Sequence, residues 1–258
     1  MDFIGGLMMS RGHFPPKAEN ETTSFFHQEG VHQIRIPVGE GVPFGYKTAF
    51  NPNLKIGGAY GTWGTGYDNE VLPGMIEETL GISLSDSERM DLQELGFVSR
   101  HHTPELSPEE NLELELEVGA RLLREAARCN GWDPSEVEGV LVGISFPIVD
   151  NYIDQVSERA GIPMHALKCS VHKACDGSMG ALHAALNPKL TQKGQRNIAE
   201  ELYGKKVLVG GIEGLTRFTK LAQDTNAAQL FGNGGAMIGI TPGETMKFLV
   251  GKSHESFD

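Results

Sequence analysis

From Leu54 onward, short apolar runs alternate with amphipathic stretches, and that alternation predicts an α/β protein with parallel strands. Val140-Leu141-Val142-Gly143-Ile144 is continuously apolar and β-branched, the pattern of a strand buried on both faces. Leu167-Lys168-Cys169-Ser170-Val171 and Lys206-Val207-Leu208-Val209-Gly210-Gly211 read as two more strands, and Leu54 to Gly64 as a strand running into a glycine turn. Helices are expected from Asn69 to Gly81, from Ser107 to about Asn130, along Ile153, Val156 and Ala160, up to Leu186, and around Ile198 to Tyr203, with a polar helix leading to Gly96. The helix after Ser107 has the clearest start: Ser107 at the N-cap, Pro108 at the first helical position and Glu110 closing a capping box. Leu112, Leu116, Leu123 and Ala127 then repeat at helical spacing until Gly131. Two further strands are expected, Gln229 to Ile240 broken by Gly232–Gly235, and Met246 to Gly251.

Residues 1–53 follow a different pattern, rich in Gly, Pro and polar residues, with one alternating stretch, His32 to Val38, of strand character. They are read as an N-terminal extension to a lobe spanning 54–258.

Charge narrows the partners. Thirty-four acidic against 22 basic residues give a net charge of −12, which opposes general attraction to nucleic acid or anionic lipid. No run reaches the 18 or so apolar residues of a spanning helix, and the first residues lack a signal peptide's pattern, so the expected location is cytoplasmic. Cys129, Cys169 and Cys175 suit a reducing compartment better than a disulfide framework. No HExxH or CxxC pattern is present, and neither a metal nor a tightly bound cofactor is expected.

Candidate chemistry gathers at Cys175. A strand ends near Val171, a sharp turn follows, and Cys175 opens a helix of small residues. A helix N-terminus favours negative charge on a thiol, which is what a nucleophilic sulfur requires; a buried, inert thiol is the competing reading. Cys169, in a strand, and Cys129, at the end of an amphipathic helix, read as packed small hydrophobes. Met179, Ala181, Leu182, Ala184, Ala185 and Leu186 leave the helix after Cys175 almost without a polar face, so it needs protein on all sides.

Four segments in order, Gly96-Phe97-Val98-Ser99-Arg100, Lys173-Ala174-Cys175-Asp176-Gly177, Val207 to Arg217 and Leu230-Phe231-Gly232-Asn233-Gly234-Gly235-Ala236, carry a resemblance to a known family. From about Leu54 the chain resembles the ketoacyl-carrier-protein synthase III branch of the thiolase-like condensing enzymes. The resemblance implies the N-terminal half of an αβαβα layered fold with a mixed five-stranded sheet. It also implies that Cys175 accepts an acyl group from a thioester, on an acyl carrier protein or coenzyme A, before decarboxylative Claisen condensation with a second thioester. Phe146, Arg217 and Phe231 are the implied substrate-binding residues, and residues 145–160 an implied wall of the acyl pocket.

The family's His and Asn belong to its C-terminal half, and this sequence ends where that half would start, so a homo- or hetero-oligomer with a thiolase-like partner chain, or a further segment, is expected to supply them. Acyl transfer without condensation and a non-catalytic partner subunit remain as alternatives. Among the internal histidines, His172, three residues before Cys175, and Asp176, directly after it, are the candidates for modulating the thiol. The Asp176 carboxylate opposes negative charge on the sulfur unless it turns to solvent. His183 lies about 12 Å along its helix from Cys175, and His101-His102 falls in an expected surface loop. By the resemblance, Met90 and Glu94 stand where the family carries residues that hold the adenine end of coenzyme A, and Thr225 stands where it carries an Arg after Asp224; both departures favour a carrier-protein thioester or another primer.

Overall fold

The computed structural model describes residues 25–28, 31–34, 51–61, 65–89, 96, 98–103, 106–188, 196–217 and 225–246. The chain divides into two units: Phe50–Phe248, and a second formed by Met1–Ala49 with Leu249–Asp258. In the second unit, β1 (Phe25–Gln28) and β2 (Val31–Ile34) form an antiparallel pair, so the alternating stretch begins its strand one residue before His32. The expected strand residues 35–38, and the strand expected beyond Met246, lie outside the described residues.

The larger unit follows the alternation closely. In chain order it contains β3 (Lys55–Gly61), β4 (Thr65–Asp68), α1 (Leu72–Leu80), β5 (Ser99–His102), α2 (Pro108–Cys129), β6 (Gly139–Gly143), α3 (Tyr152–Ala160), β7 (Leu167–Val171), α4 (Gly177–Leu186), α5 (Ile198–Glu201), β8 (Val207–Glu213), α6 (Thr225–Leu230) and β9 (Gly234–Thr241). Five strands make one mixed sheet in the order β3-β9-β8-β6-β7. β7, β6 and β8 run parallel, while β9 is antiparallel to both β8 and β3. β4 and β5 form a separate antiparallel pair.

Alternating side chains along β8 and β6 feed two cores. Leu208, Ile212, Val140 and Val142 point to α2 and α3, where Leu116, Leu122, Leu123 and Val156 are all buried. Val207, Val209 and Leu141 point the other way, onto Ala181, Ala185 and Leu186 of α4 and Leu202 beyond α5. The unit takes in residues ahead of Leu54 as well. Asn51 donates its amide to the Leu186 carbonyl at 2.7 Å, and Asn53 accepts from Gly204 N–H at 3.1 Å, both from buried side chains.

The cap of α2 forms as its sequence dictates. Ser107 Oγ accepts from Glu110 N–H at 3.2 Å, and the Glu110 carboxylate accepts from Ser107 N–H at 2.8 Å. The segment before β9 departs from expectation: Thr225–Leu230 is helical, and the strand starts only at Gly234. The helix ends with Phe231 N–H donating to the Ala227 carbonyl at 2.9 Å. The Asn233 side chain is then held by Thr216, whose N–H and hydroxyl both donate to Asn233 Oδ1 at 3.0 Å. Local helical bonding thus prevails over the strand expected to begin at Gln229.

Candidate functional site

Parallel strands β6, β7 and β8 end on one edge of the sheet, and the chain turns there from β7 into α4. Ala174–Asp176 forms a single 3₁₀ turn, and Ala174 takes φ 43°, in the left-handed region that an L side chain rarely adopts. This strained turn delivers Cys175 to the surface, where its side chain is exposed. A glycine contact seats the first turn of α4 on the strand ends. A Cβ on Gly143 would lie 2.1 Å from the Gly177 carbonyl carbon, and one on Gly211 would lie 2.0 Å from Ser178 Oγ. At Gly143 the space is filled by helix backbone, so a side chain there would push helix and strand apart, whereas at Gly211 it is filled by the Ser178 hydroxyl, which can rotate.

Asp176 is exposed and makes no capping hydrogen bond to α4, so its carboxylate faces water. His172 is also exposed and lies close enough to Glu213 for its charge to act on that carboxyl. Glu213, the last residue of β8, accepts from Ser145 N–H at 2.6 Å and from Ser145 Oγ at 2.7 Å on the same oxygen, Oε1. Its Oε2 is buried without a hydrogen-bond partner. Burial is the main cause that pushes the Glu213 carboxyl above the ordinary range; Ser145 and His172 act in the opposite direction, and Glu115 adds to the rise.

Behind this edge a buried carboxylate pairs with a partly exposed arginine. Arg217 Nε donates to Glu115 Oε1 at 2.7 Å, and Glu115, on α2, is only 4% exposed. Burial raises the Glu115 carboxyl while Arg217 opposes the rise. Arg217 Nη2 also donates to the Phe146 carbonyl at 2.8 Å. Tyr152 donates its hydroxyl to the Glu115 carbonyl at 2.8 Å, and burial holds that phenol well above its usual range.

Beside α4, the face of β8 and β9 is open as a groove of about 710 Å³. Met179 and Leu182 form one wall, Leu230 another, and Gly210, Gly211, Gly234, Gly235 and Ala236 supply much of the floor. Met179 is 62% exposed, so among the described residues the side of α4 toward the groove is uncovered there.

The residues singled out in the sequence are distributed as follows. Cys175, Asp176 and His172 all lie at the β7–α4 turn. Phe146, 38% exposed, follows the neighbouring end of β6, and its carbonyl accepts from the Arg217 guanidinium. Phe231 is half-buried at the end of α6, with Leu230 and Gly232 on either side lining the groove. Two expectations are corrected. His102 is not in a surface loop but in β5 and 4% exposed, because alternation along that strand turns Arg100 and His102 inward. Cys129 is exposed rather than packed: a Cβ on Gly58 would meet the Cys129 carbonyl oxygen at 2.3 Å, so the backbone at this helix end, not the thiol, makes the contact. Cys169 is partly buried, and burial pushes its thiol up. His183 hydrogen-bonds Asn187 at 2.8 Å. Met90 and Glu94 lie outside the described residues, and Thr225 is the first residue of α6.

Glu213, Ser145 and Glu115 escaped the sequence reading. A carboxylate directly after Val207–Ile212 was the visible signal for Glu213, since a charge ending a buried strand calls for a partner. Nothing comparable marks Glu115, one of several glutamates on a helix with a polar face.

Neither a protein-family profile nor a curated protein matches the sequence. The likeness is in the fold, which is that of the thiolase-like condensing enzymes. The chain is similar to a fungal type III polyketide synthase, with TM-score 0.57 and 16% identity over 73% of this chain and 55% of that one. It is similar also to 3-oxoacyl-[acyl-carrier-protein] synthase III from Aquifex aeolicus, with TM-score 0.54 and 19% identity over 74% and 54%. A tetronic acid condensing enzyme gives TM-score 0.51 and 19% identity over 74% and 56%. The chain therefore spans just over half the length of each of these structures, in agreement with a half of the layered fold.

Proposed function

We propose that this chain is the nucleophile-bearing lobe of an acyl-thioester-processing unit of the β-ketoacyl synthase III kind, with Cys175 as its acyl acceptor. The observation that carries the reading is the exposed Cys175 on a strained turn at the helix N-terminus, over the C-terminal ends of three parallel strands. In the loading step the Cys175 thiolate attacks the thioester carbonyl. A new carbon–sulfur bond forms, the carrier's carbon–sulfur bond breaks, and the carrier leaves as a thiolate that takes up a proton. In the second step a malonyl-type thioester loses CO2, and the carbanion attacks the acyl carbonyl and releases Cys175 as thiolate. Covalent storage divides one difficult reaction into two. The His and Asn that polarise the second thioester carbonyl come, in this reading, from another thiolase-like chain or a further segment, and the open groove beside α4 supports such a cover.

The test is acyl loading from acyl-carrier-protein and coenzyme A thioesters, read as a mass increase on the Cys175 peptide. Loading that disappears in Cys175→Ala supports the reading, and absence of loading from either donor overturns it. A second reading, acyl transfer without condensation, shares the loading step. Release of the acyl group to another acceptor, without loss of CO2 when a malonyl thioester is added, would identify it.

A further inference from the structure

The turn that presents Cys175 has little side-chain packing of its own. Of residues 172–176, His172, Ala174, Cys175 and Asp176 are exposed, and Lys173 alone is half-buried. That reverses the usual order, since lysine is among the residues least often taken out of water. The backbone of the turn is closed by Asp176 N–H, which donates to the Lys173 carbonyl at 2.9 Å, and by Gly177 N–H, which donates to the Ala174 carbonyl. Between them Ala174 stays at φ 43°, a conformation that persists only where the surroundings enforce it.

The Lys173 side chain supplies such a surrounding, because it folds back onto α4. A Cβ on Gly180 would lie 3.0 Å from Lys173 Cδ, 3.8 Å from its Cγ and 3.1 Å from Val171 Cγ1. Gly180 is buried and stands inside a helix, where glycine is less favourable than alanine, and the space it leaves is taken by the methylenes of Lys173 and the Val171 side chain. It lies three residues after Gly177, so the two glycines share one side of α4: the first meets the backbone of β6, the second the turn.

We propose that Lys173 is a positioning residue: its aliphatic stem, seated on Gly180, ties the 173–176 turn to α4 and so fixes the orientation of Cys175. Lysine suits an open turn because its methylenes can pack while its ammonium keeps polar contacts. The hold belongs to the stem, so shape rather than charge is what the position requires. The part of Cys175 as acyl acceptor rests on the function proposed above; the tether between the turn and α4 does not.

Two variants of the full chain separate stem from charge. Lys173→Ala removes both, and Lys173→Met keeps a stem of similar length without the charge; thermal melts establish that each is folded. Hydrogen exchange at the Asp176 and Gly177 amides should accelerate about four- to fifteen-fold in Lys173→Ala, the opening expected when one or two packed methylenes are lost, and return to the unmodified rate in Lys173→Met. A nitroxide on Cys175 reports its orientation, in a Cys129→Ser background because that thiol is exposed too. Its spectrum should gain a mobile component in Lys173→Ala and none in Lys173→Met. Acyl loading should lose kcat at an unchanged KM in Lys173→Ala and recover in Lys173→Met, since the nucleophile rather than the donor is displaced. Unchanged exchange in Lys173→Ala overturns the proposal, and so does a Lys173→Met chain that behaves as Lys173→Ala, which would assign the hold to the ammonium. Faster exchange with an unmoved nitroxide overturns it equally, because the contact would then be structural alone. The outcome for the function is separate: if the nitroxide responds as expected but the unmodified chain takes no acyl group, the positioning role stands and the proposed function fails. Loading at one kcat in all three chains leaves the function and removes the positioning role.

Discussion

The two faces of the five-stranded sheet are covered differently. On one, α2 and α3 cover the strands with large aliphatic side chains, and Leu116, Leu122, Leu123 and Val156 are each at most 1% exposed. On the other, Leu141, Val207 and Val209 pack under α4, which approaches β6 through glycine and meets the core with alanines, and a groove stays open beside Met179 and Leu182. Side-chain burial stabilises both faces; on the second, close backbone approach at Gly143 also fixes where α4 sits. The face left partly open is the one that carries Cys175. A thiol presented from the end of such a helix is supported from below by the strand ends and is exposed above.

That contrast can be broken at several points. The largest effect should come from the covered face: Leu123→Ala, at a site with no exposed surface, should cost about 2–5 kcal/mol in urea unfolding and leave the rate of Cys175 alkylation unchanged. Gly143→Ala should come next. Its Cβ would lie 2.1 Å from a backbone carbon that cannot rotate aside, and the expected loss is about 1–3 kcal/mol, accompanied this time by altered Cys175 alkylation as α4 shifts.

Glu213→Gln sharpens the comparison through pH. A carboxyl whose value is raised by folding contributes stability that is complete below its unfolded value and lost as pH rises through its folded value. Glu213 is such a group, held up by burial and facing Ser145, His172 and Glu115. The melting temperature of Glu213→Gln minus that of the unmodified chain should therefore move in the variant's favour between pH 4 and pH 7. A difference independent of pH would show that the carboxyl is not perturbed in the folded chain. The smallest effect belongs to the open face: Met179→Ala should change stability by no more than about 0.5 kcal/mol, since 62% of that residue already meets solvent. A loss of 2 kcal/mol or more in the isolated chain would mean that the groove is already covered.

Much of this architecture was legible in the amino-acid pattern because its signals are local. The capping box at Ser107 and Glu110 uses residues three apart, and the strand at 167–171 is bounded by what its own side chains bury. The helix at 225–230 was misread for the same reason in reverse: its last apolar residues resemble a strand, and only the hold of Thr216 on Asn233, 17 residues away, shows where β9 can begin. Cys129 shows a related limit, since helical periodicity gives the direction of a face but not whether the last turn still lies over the core.

The candidate site divides along the same line. The placing of Cys175 between a strand end and a helix of small residues was legible from its neighbours alone, because strand end, turn and small residues follow one another in the chain. Its supporting network was not. Ser145 and Glu213 are 68 residues apart, and Glu115 and Arg217 are 102 apart. A glutamate with a buried partner and a glutamate on a solvated helix face are the same letter in the sequence.

The sequence by itself determined the central strands β6, β7 and β8, the start of the long helix and the place of Cys175 ahead of a helix of small residues, since hydrophobic periodicity and capping act over a few residues. Tertiary structure alone decided which carboxylates are buried, which cysteines are exposed and what Arg217 holds. Those outcomes depend on desolvation and pairing between groups brought together by the sheet, and a charge takes its cost or its partner only once the fold has enclosed it.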